Sequence, residues 1–319
     1  MTAAAAGPAA RLRVLFVRMA LAAAALTFVV IVASAFMRHA QAGLSCGDWP
    51  ACYARIAAPL ASAPPDAGVQ LARIAHRLAA TGVLALVIAL LLVARTRRPA
   101  WRREGRLALV ALLVVVALAG LGIATPGARL PAVTLGNLLG GYALLAALAA
   151  TAAAAAAAGT ASGPARDSGR TPALIALAAV FVQAALGGMI GAQFASLACP
   201  ALADCGAWSW RAFADGGAWN PLRTPALIDG HLAAPAGAAG LHLLHRLNGL
   251  VVAALVLVTA ALVWRSRRGL AWTLSGLLVA AAVSGVAAVS PQPALTIVVA
   301  HNACAALLVA VLAWAGATR

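Results

Sequence analysis

Long apolar stretches separated by short polar ones dominate this chain. Eight of them run over residues 14–37, 70–94, 107–124, 132–158, 172–192, 241–264, 270–290 and 294–316. Each is close to the roughly 20 residues that an α-helix needs to cross the hydrocarbon core of a bilayer. In lipid a backbone must satisfy its own N–H and C=O groups, which favours helices. The pattern predicts an all-α integral membrane protein of eight transmembrane helices with no soluble domain left over. Residues 19–37 exceed the roughly 7–15 residues of a signal-peptide core, so the first run is expected to be a retained helix.

Composition agrees with that reading. Hydrophobic residues make up 64% of the chain and charged residues 9%, and the mean hydropathy is +0.97. Aromatic residues are few and alanine supplies much of the apolar surface, which suggests closely packed helices.

The formal net charge of +16 does not mark a nucleic-acid partner, because the charge is not gathered into a binding surface. All 23 basic residues are arginine, and 15 of them fall on one side of an eight-helix topology. Arg11, Arg13 and Arg18 precede the first run. Arg95, Arg97, Arg98, Arg102, Arg103 and Arg106 follow the second. Most acids (Asp48, Asp66, Asp204, Asp215 and Asp229) fall on the other side. This is the positive-inside pattern, and it predicts a multi-pass protein with both termini cytoplasmic.

Two segments repeat. Residues 74–98 align with 243–268, which sets His76 on His245 and Arg77 on Arg246. Residues 131–145 resemble 293–308. The expectation is two pseudo-symmetric four-helix bundles, residues 1–158 and 172–319, joined by a cytoplasmic Gly/Ser/Pro-containing linker at 159–171.

Four of the five cysteines also repeat, as Cys46/Cys52 and Cys199/Cys205, each pair with five residues between. The topology puts both pairs outside, where disulfides persist. Zinc pairs have about two to four intervening residues, so the wider spacing favours disulfides. Cys304, inside an apolar run, reads as a small packing residue.

The six histidines narrow the chemistry. Ionisable groups inside spanning segments are costly and usually functional, which singles out His76, His245 and His301. Two histidines at similar depth on two helices suit the axial positions of a heme iron, with arginines meeting the propionates at the water boundary. His242, one turn before His245, is either a supporting partner or a competing ligand. His39 and His231 are expected to be solvated in or near outer loops.

Residues 38–52 resemble the first outer loop of the heme A synthase family, and 182–199 its fifth helix and following loop. His-Arg pairs opening the second and sixth helices, and a histidine in the eighth, also match. That resemblance implies a fold of two four-helix bundles and oxidation of a methyl group of heme O to the formyl group of heme A, for terminal oxidases. It implies that His245 and His301 ligate a resident heme b, and that His76 faces substrate heme O as the catalytic histidine. Arg77 and Arg246 would help to hold the cofactors. Cys46–Cys52 would be the loop disulfide and Cys199–Cys205 its counterpart.

The implied setting is the bacterial cytoplasmic (inner) membrane. The partners would be heme O and its synthase and a membrane electron acceptor, with a homo-oligomer left open. Two positions depart from the family. Arg73 stands where a glutamate is common, and Asn137 where the fourth helix usually supplies a histidine. A carboxylate would then come from Asp66, Asp48 or a propionate. Three classes stay open on these residues: heme A synthesis, a non-catalytic heme b protein for electron transfer or heme handling, and a transporter or structural membrane protein.

Overall fold

The backbone of every apolar run closes its hydrogen bonds within itself. In a computed structural model, the described residues form eight helices long and apolar enough to cross a membrane. They are α1 (Pro8–Gln41), α2 (Ala67–Thr96), α3 (Arg102–Ala124), α4 (Pro131–Ala157), α5 (Arg170–Gln193), α6 (Ala238–Val263), α7 (Arg268–Ala287) and α8 (Leu295–Ala317). The structure describes residues 7–41, 66–97, 101–125, 130–158, 169–199, 201–202, 205, 211–214, 216–224, 226–228, 231–232, 234–290 and 292–318. Among these, the only extended structure is a two-residue ladder, Leu227–Ile228 against His231–Leu232. The chain is therefore an all-α multi-pass membrane protein.

Local chemistry sets several helix ends. The Asp66 carboxylate caps α2 by accepting from the Gly68 N–H at 2.6 Å. Pro131 opens α4, where its missing N–H costs nothing. Phe194 ends α5 in the left-handed region at φ 55°, and Gly237 enters α6 at φ 81°, a conformation glycine adopts without steric cost.

Packing follows one order in both halves. Helix α1 packs on α2 and α4, and α3 packs on α2 and α4, closing a ring. Helices α5 to α8 close a ring in the same order. This fits a two-bundle arrangement. In each ring the second and fourth helices stand diagonally, without an extensive contact of their own. The rings meet where α4 packs on α5 and α8, and α1 on α8.

Helix α4 is the centre. It buries 72% of its apolar window, against 17–28% for the other seven. Its Ala149, Ala152, Ala153, Ala154 and Ala155 are all buried, so neighbouring backbones come close. Elsewhere large apolar side chains face outward, such as Ile123 (81% exposed) and Leu250 (70%). Lipid is a suitable solvent for such a surface, whereas water is not.

The arginine-rich end is fastened by guanidinium groups on helix C-terminal carbonyls, where the helix dipole favours cations. Arg13 of α1 donates to the Ala155 carbonyl of α4 at 3.0 Å. Arg170 of α5 donates to the Gly316 carbonyl of α8 at 3.2 Å, the same device in the other half. Arg103 reaches the Ala317 carbonyl at 2.7 Å, and Arg267 the Thr318 hydroxyl at 2.6 Å. Arg13 also lies 4.9 Å above the Trp101 ring.

Glycines set the closest helix approaches. A Cβ on Gly140 would stand 2.6 Å from Leu118 Cδ2, whereas one on Gly120 would meet nothing within 4 Å. Gly140→Val is expected to force α3 off α4 and to cost about 1–3 kcal/mol, typical of overpacking. Gly120→Ala is expected to be neutral or slightly stabilising. Thermal unfolding of the two variants in detergent checks this contrast.

Candidate functional site

The histidines of the second half stand on diagonal helices. His245 lies on α6 and His301 on α8, and their rings are within electrostatic reach of each other. His301 Nδ1 donates to the Ala281 carbonyl of α7 at 2.9 Å, with Ser284 Oγ at 3.5 Å. A carbonyl only accepts, so Nδ1 carries the ring proton and Nε2 keeps a free lone pair. Gly285 makes room, since a Cβ there would stand 2.9 Å from His301 Cε1.

His245 is oriented by a chain of amides that starts on a backbone carbonyl. Asn248 Nδ2 donates to the Ala179 carbonyl at 3.3 Å and to Gln183 Oε1 at 2.8 Å. That leaves Gln183 Nε2 to donate to His245 Nε2 at 3.2 Å. His245 Nε2 is therefore an acceptor and Nδ1 holds the proton, buried without a partner. Gly187 fits beneath the ring, 3.0 Å from Cε1 to the place of a Cβ.

This half thus offers two imidazoles with unprotonated Nε2 atoms, free on His301 and accepting from Gln183 on His245, on the diagonal helices α6 and α8. That donor set suits two-histidine ligation of a heme iron, and the hydrogen bond behind His301 is of the kind that orients a metal-binding histidine. Among the described residues, no group of three or more His, Cys, Asp or Glu could hold a bare metal ion.

The first half is built differently. His76 is half-buried on α2, with Arg73 and Arg77 exposed on either side of it in sequence. No hydrogen bond to a described residue fixes its ring. Asn137 stands seven residues beyond the α4 cap Leu130, as His301 stands seven beyond the α8 cap Ala294. The two positions match in depth, but the Asn137 amide is exposed and its Nδ2 donates to the Val133 carbonyl at 3.0 Å. At the position aligned with Asn248 stands Ala79, so that part of the amide chain has no counterpart.

Neither described carboxylate lies beside His76. Asp66 is committed to its cap and lies ten residues away along α2, about 15 Å by helical rise. Glu104 is buried on α3 and pairs with Arg13 at 3.5 Å, at the opposite end of the bundle. Asp48 falls outside the described residues, as do Cys46 and Cys52.

Cys199 is disulfide-bonded to Cys205, so this pair is not a zinc site. The bridged segment packs on Ala239 and Leu243 at the start of α6 and on Phe213. Arg246 clasps it by donating to the Leu202 carbonyl at 2.7 Å and the Ala201 carbonyl at 3.1 Å. The guanidinium expected to meet a propionate is thus turned toward loop backbone, though its Nε is buried without a partner. Cys304 is a free thiol, half-buried in α8.

One expectation needs correcting. His39 is not solvated: only 7% of it is exposed, in the last turn of α1. It faces α5 at Gly191, where a Cβ would stand 3.4 Å from its Cε1. Polarity at the end of an apolar run looks like a loop, but the helix continues and turns the ring inward. His231 lies in the short ladder, and His242 is buried with Nδ1 unpartnered.

The family profile described as cytochrome oxidase assembly protein, COX15-CtaA, matches residues 17–313. The chain belongs to this family. Heme A synthase of Shewanella oneidensis is 30% identical over 306 residues, which is 90% of this chain and 91% of that protein. The matched span runs from within α1 to within α8, so both rings belong to the family unit.

Sequence reasoning missed Gln183 and Asn248. Their signal was present, since uncharged amides inside apolar runs carry the same cost of burial that drew attention to the histidines. The Arg246 clasp yields a direct test. Arg246→Ala removes two charge-assisted hydrogen bonds, each of about 1.5–3 kcal/mol. Reduction of Cys199–Cys205 by dithiothreitol is expected to speed up about tenfold or more, read by alkylation and intact mass, while Arg77→Ala leaves the rate unchanged.

Proposed function

We propose that this chain is a heme A synthase-type oxidoreductase that converts a methyl group of heme O into the formyl group of heme A. The carrying observation is the pair of imidazoles with unprotonated Nε2 atoms on diagonal helices α6 and α8, free on His301 and held by Gln183 on His245, in a chain of the cytochrome oxidase assembly family. The relative named heme A synthase, similar along nearly its whole length, supports the same reading.

In this reading His245 and His301 hold a resident heme b in the second half. When bound, that heme supplies one-electron redox capacity. The chain's own work is to orient the ligands. Ala281 fixes the protonated face of His301, and Gln183, itself held by Asn248, keeps the His245 Nε2 unprotonated and gives up its hydrogen bond there when that nitrogen takes a ligand. His76 faces heme O in the first half, where the open position at Asn137 suits a substrate that must enter and leave. Proton removal falls to a group outside the described carboxylates, since Asp66 is capping α2 and Glu104 lies at the far end. Electrons pass to a membrane acceptor, and heme O arrives from its synthase.

The arginine asymmetry supports a bacterial inner-membrane orientation with both termini cytoplasmic. A second reading, a non-catalytic heme b protein of the same family, is favoured by Arg73 and Asn137, which leave His76 without a neighbouring carboxylate or a partner ligand among the described residues.

Co-expression with a heme O source, followed by chromatography of extracted hemes, tests the function. Formyl heme is expected from the unaltered protein and should be lost in His76→Ala. If no formyl heme forms despite ample heme O, and His76→Ala leaves heme content unchanged, the second reading replaces the first. The ligand assignment has its own test. His245→Ala and His301→Ala should each empty the second half or abolish its low-spin optical bands, and unaltered low-spin heme in both would remove it. Asn137→His is expected to add a ligand in the first half and move its heme toward low spin.

A further inference from the structure

A second cationic group at the loop end has no anion to meet among the described residues. Arg38, in the last turn of α1, donates from Nη2 to His39 Nε2 at 3.2 Å. Its Nε is buried without a hydrogen-bond partner. Among the described residues the one ion pair is Arg13–Glu104, and Asp66 is engaged with Gly68, so no described carboxylate answers this guanidinium. A partly buried arginine left unpaired costs several kcal/mol by desolvation. The structure spends that cost at a specific place, where α1, α4, α5 and α8 meet.

The surroundings show what kind of ligand belongs there. His39 packs against Gly191 of α5. The Tyr142 hydroxyl of α4 is within electrostatic reach of Arg38, and it donates to the Asn302 carbonyl of α8 at 3.1 Å. Asn302 is the residue after His301, so Arg38 lies beside the helix that carries an imidazole of the second half and on the helix ring of the first. Since His39 Nε2 accepts from Arg38, its own ring proton sits on Nδ1. The pair therefore presents N–H donors and no carboxylate. Arginine pairs with a carboxylate through adjacent N–H groups, a geometry lysine lacks. Meanwhile Arg246 is held by the Ala201 and Leu202 carbonyls.

We propose that Arg38 and His39 form a carboxylate-binding site at the seam between the two halves, filled by a propionate of a bound porphyrin. This rests on the heme reading above. Arg38 is the charge that fixes the carboxylate, and His39 holds the guanidinium in place. Either half's porphyrin has the required chemistry, and the test separates them.

Protein produced under heme limitation is titrated with iron protoporphyrin IX and with its dimethyl ester, whose propionates carry no charge, and binding is followed at the Soret band. The unaltered protein is expected to favour the free acid by about tenfold or more, the worth of one charged hydrogen bond. Arg38→Ala should erase that preference while still binding the ester, and Arg38→Lys should restore part of it. A preference that survives in His76→Ala but not in His301→Ala assigns the carboxylate to the second half's porphyrin, and the reverse assigns it to the first. Equal binding of acid and ester by the unaltered protein, or a full preference retained in Arg38→Ala, overturns the site. Failure of the unaltered protein to bind either porphyrin removes the heme reading itself, which is a different result. Size-exclusion behaviour of Arg38→Ala matching the parent excludes misfolding as the cause of a lost preference.

Discussion

Close approach of backbones around α4 is the condition on which the rest of the molecule depends. Lipid tails are as apolar as leucine, so helices in a bilayer gain nothing by hiding apolar surface from their solvent. Association must come from dispersion contacts and interhelical hydrogen bonds, both of which fade quickly with distance. The alanine-rich face of α4 meets this by letting α1, α3, α5 and α8 come near at once. Tyr142 then adds an edge-on contact to Phe181 at 6.4 Å and a hydrogen bond to α8 from the same helix. Without that dense middle the two rings would have little to hold them in register.

The rings share an order of packing but differ in how firmly they hold polar side chains. In the second, His301 Nδ1 and His245 Nε2 are each held by a neighbour, although the Nδ1 atoms of His242 and His245 are buried without one. Fixed rings lose little freedom when a ligand arrives, which favours a long-lived complex. In the first, His76 and the Asn137 oxygen lack such anchors among the described residues. Under the proposed function that contrast has a use, because tight retention of heme in both halves would trap the product.

Much of the fold was legible in the sequence. Run 172–192 became Arg170–Gln193, and run 132–158 became Pro131–Ala157. Hydropathy finds them because lipid selects for composition over about 20 residues whatever the partners are. It fails at helix ends. Helix α1 extends to Pro8 and Gln41, since Arg11, Arg13, Arg38 and His39 stay helical although polar. The site was legible as residue types only. His245 and His301 stand out because ionisable groups are rare in lipid, and Cys199 and Cys205 because their spacing suits a short bridge. The destination of Arg246 was not readable, because its partners are carbonyl oxygens of Ala201 and Leu202, which leave no mark on side-chain identity. The inward turn of His39 depends on Gly191, a residue about 150 positions away that only tertiary packing brings near.

The guanidinium contacts at the end of α8 bear on how the molecule comes together in time. Arg103, Arg170 and Arg267 leave the ribosome before the carbonyls of Gly316 and Ala317 and the hydroxyl of Thr318 exist. Until then these acceptors do not exist, and lipid phosphates at the membrane surface suit the three cations. Arrival of α8 exchanges those phosphates for protein acceptors and draws the starts of α3, α5 and α7 to one point. Helix α8 is in that sense a keystone set last, and the histidine it carries comes to face His245 only once the surrounding arch has closed.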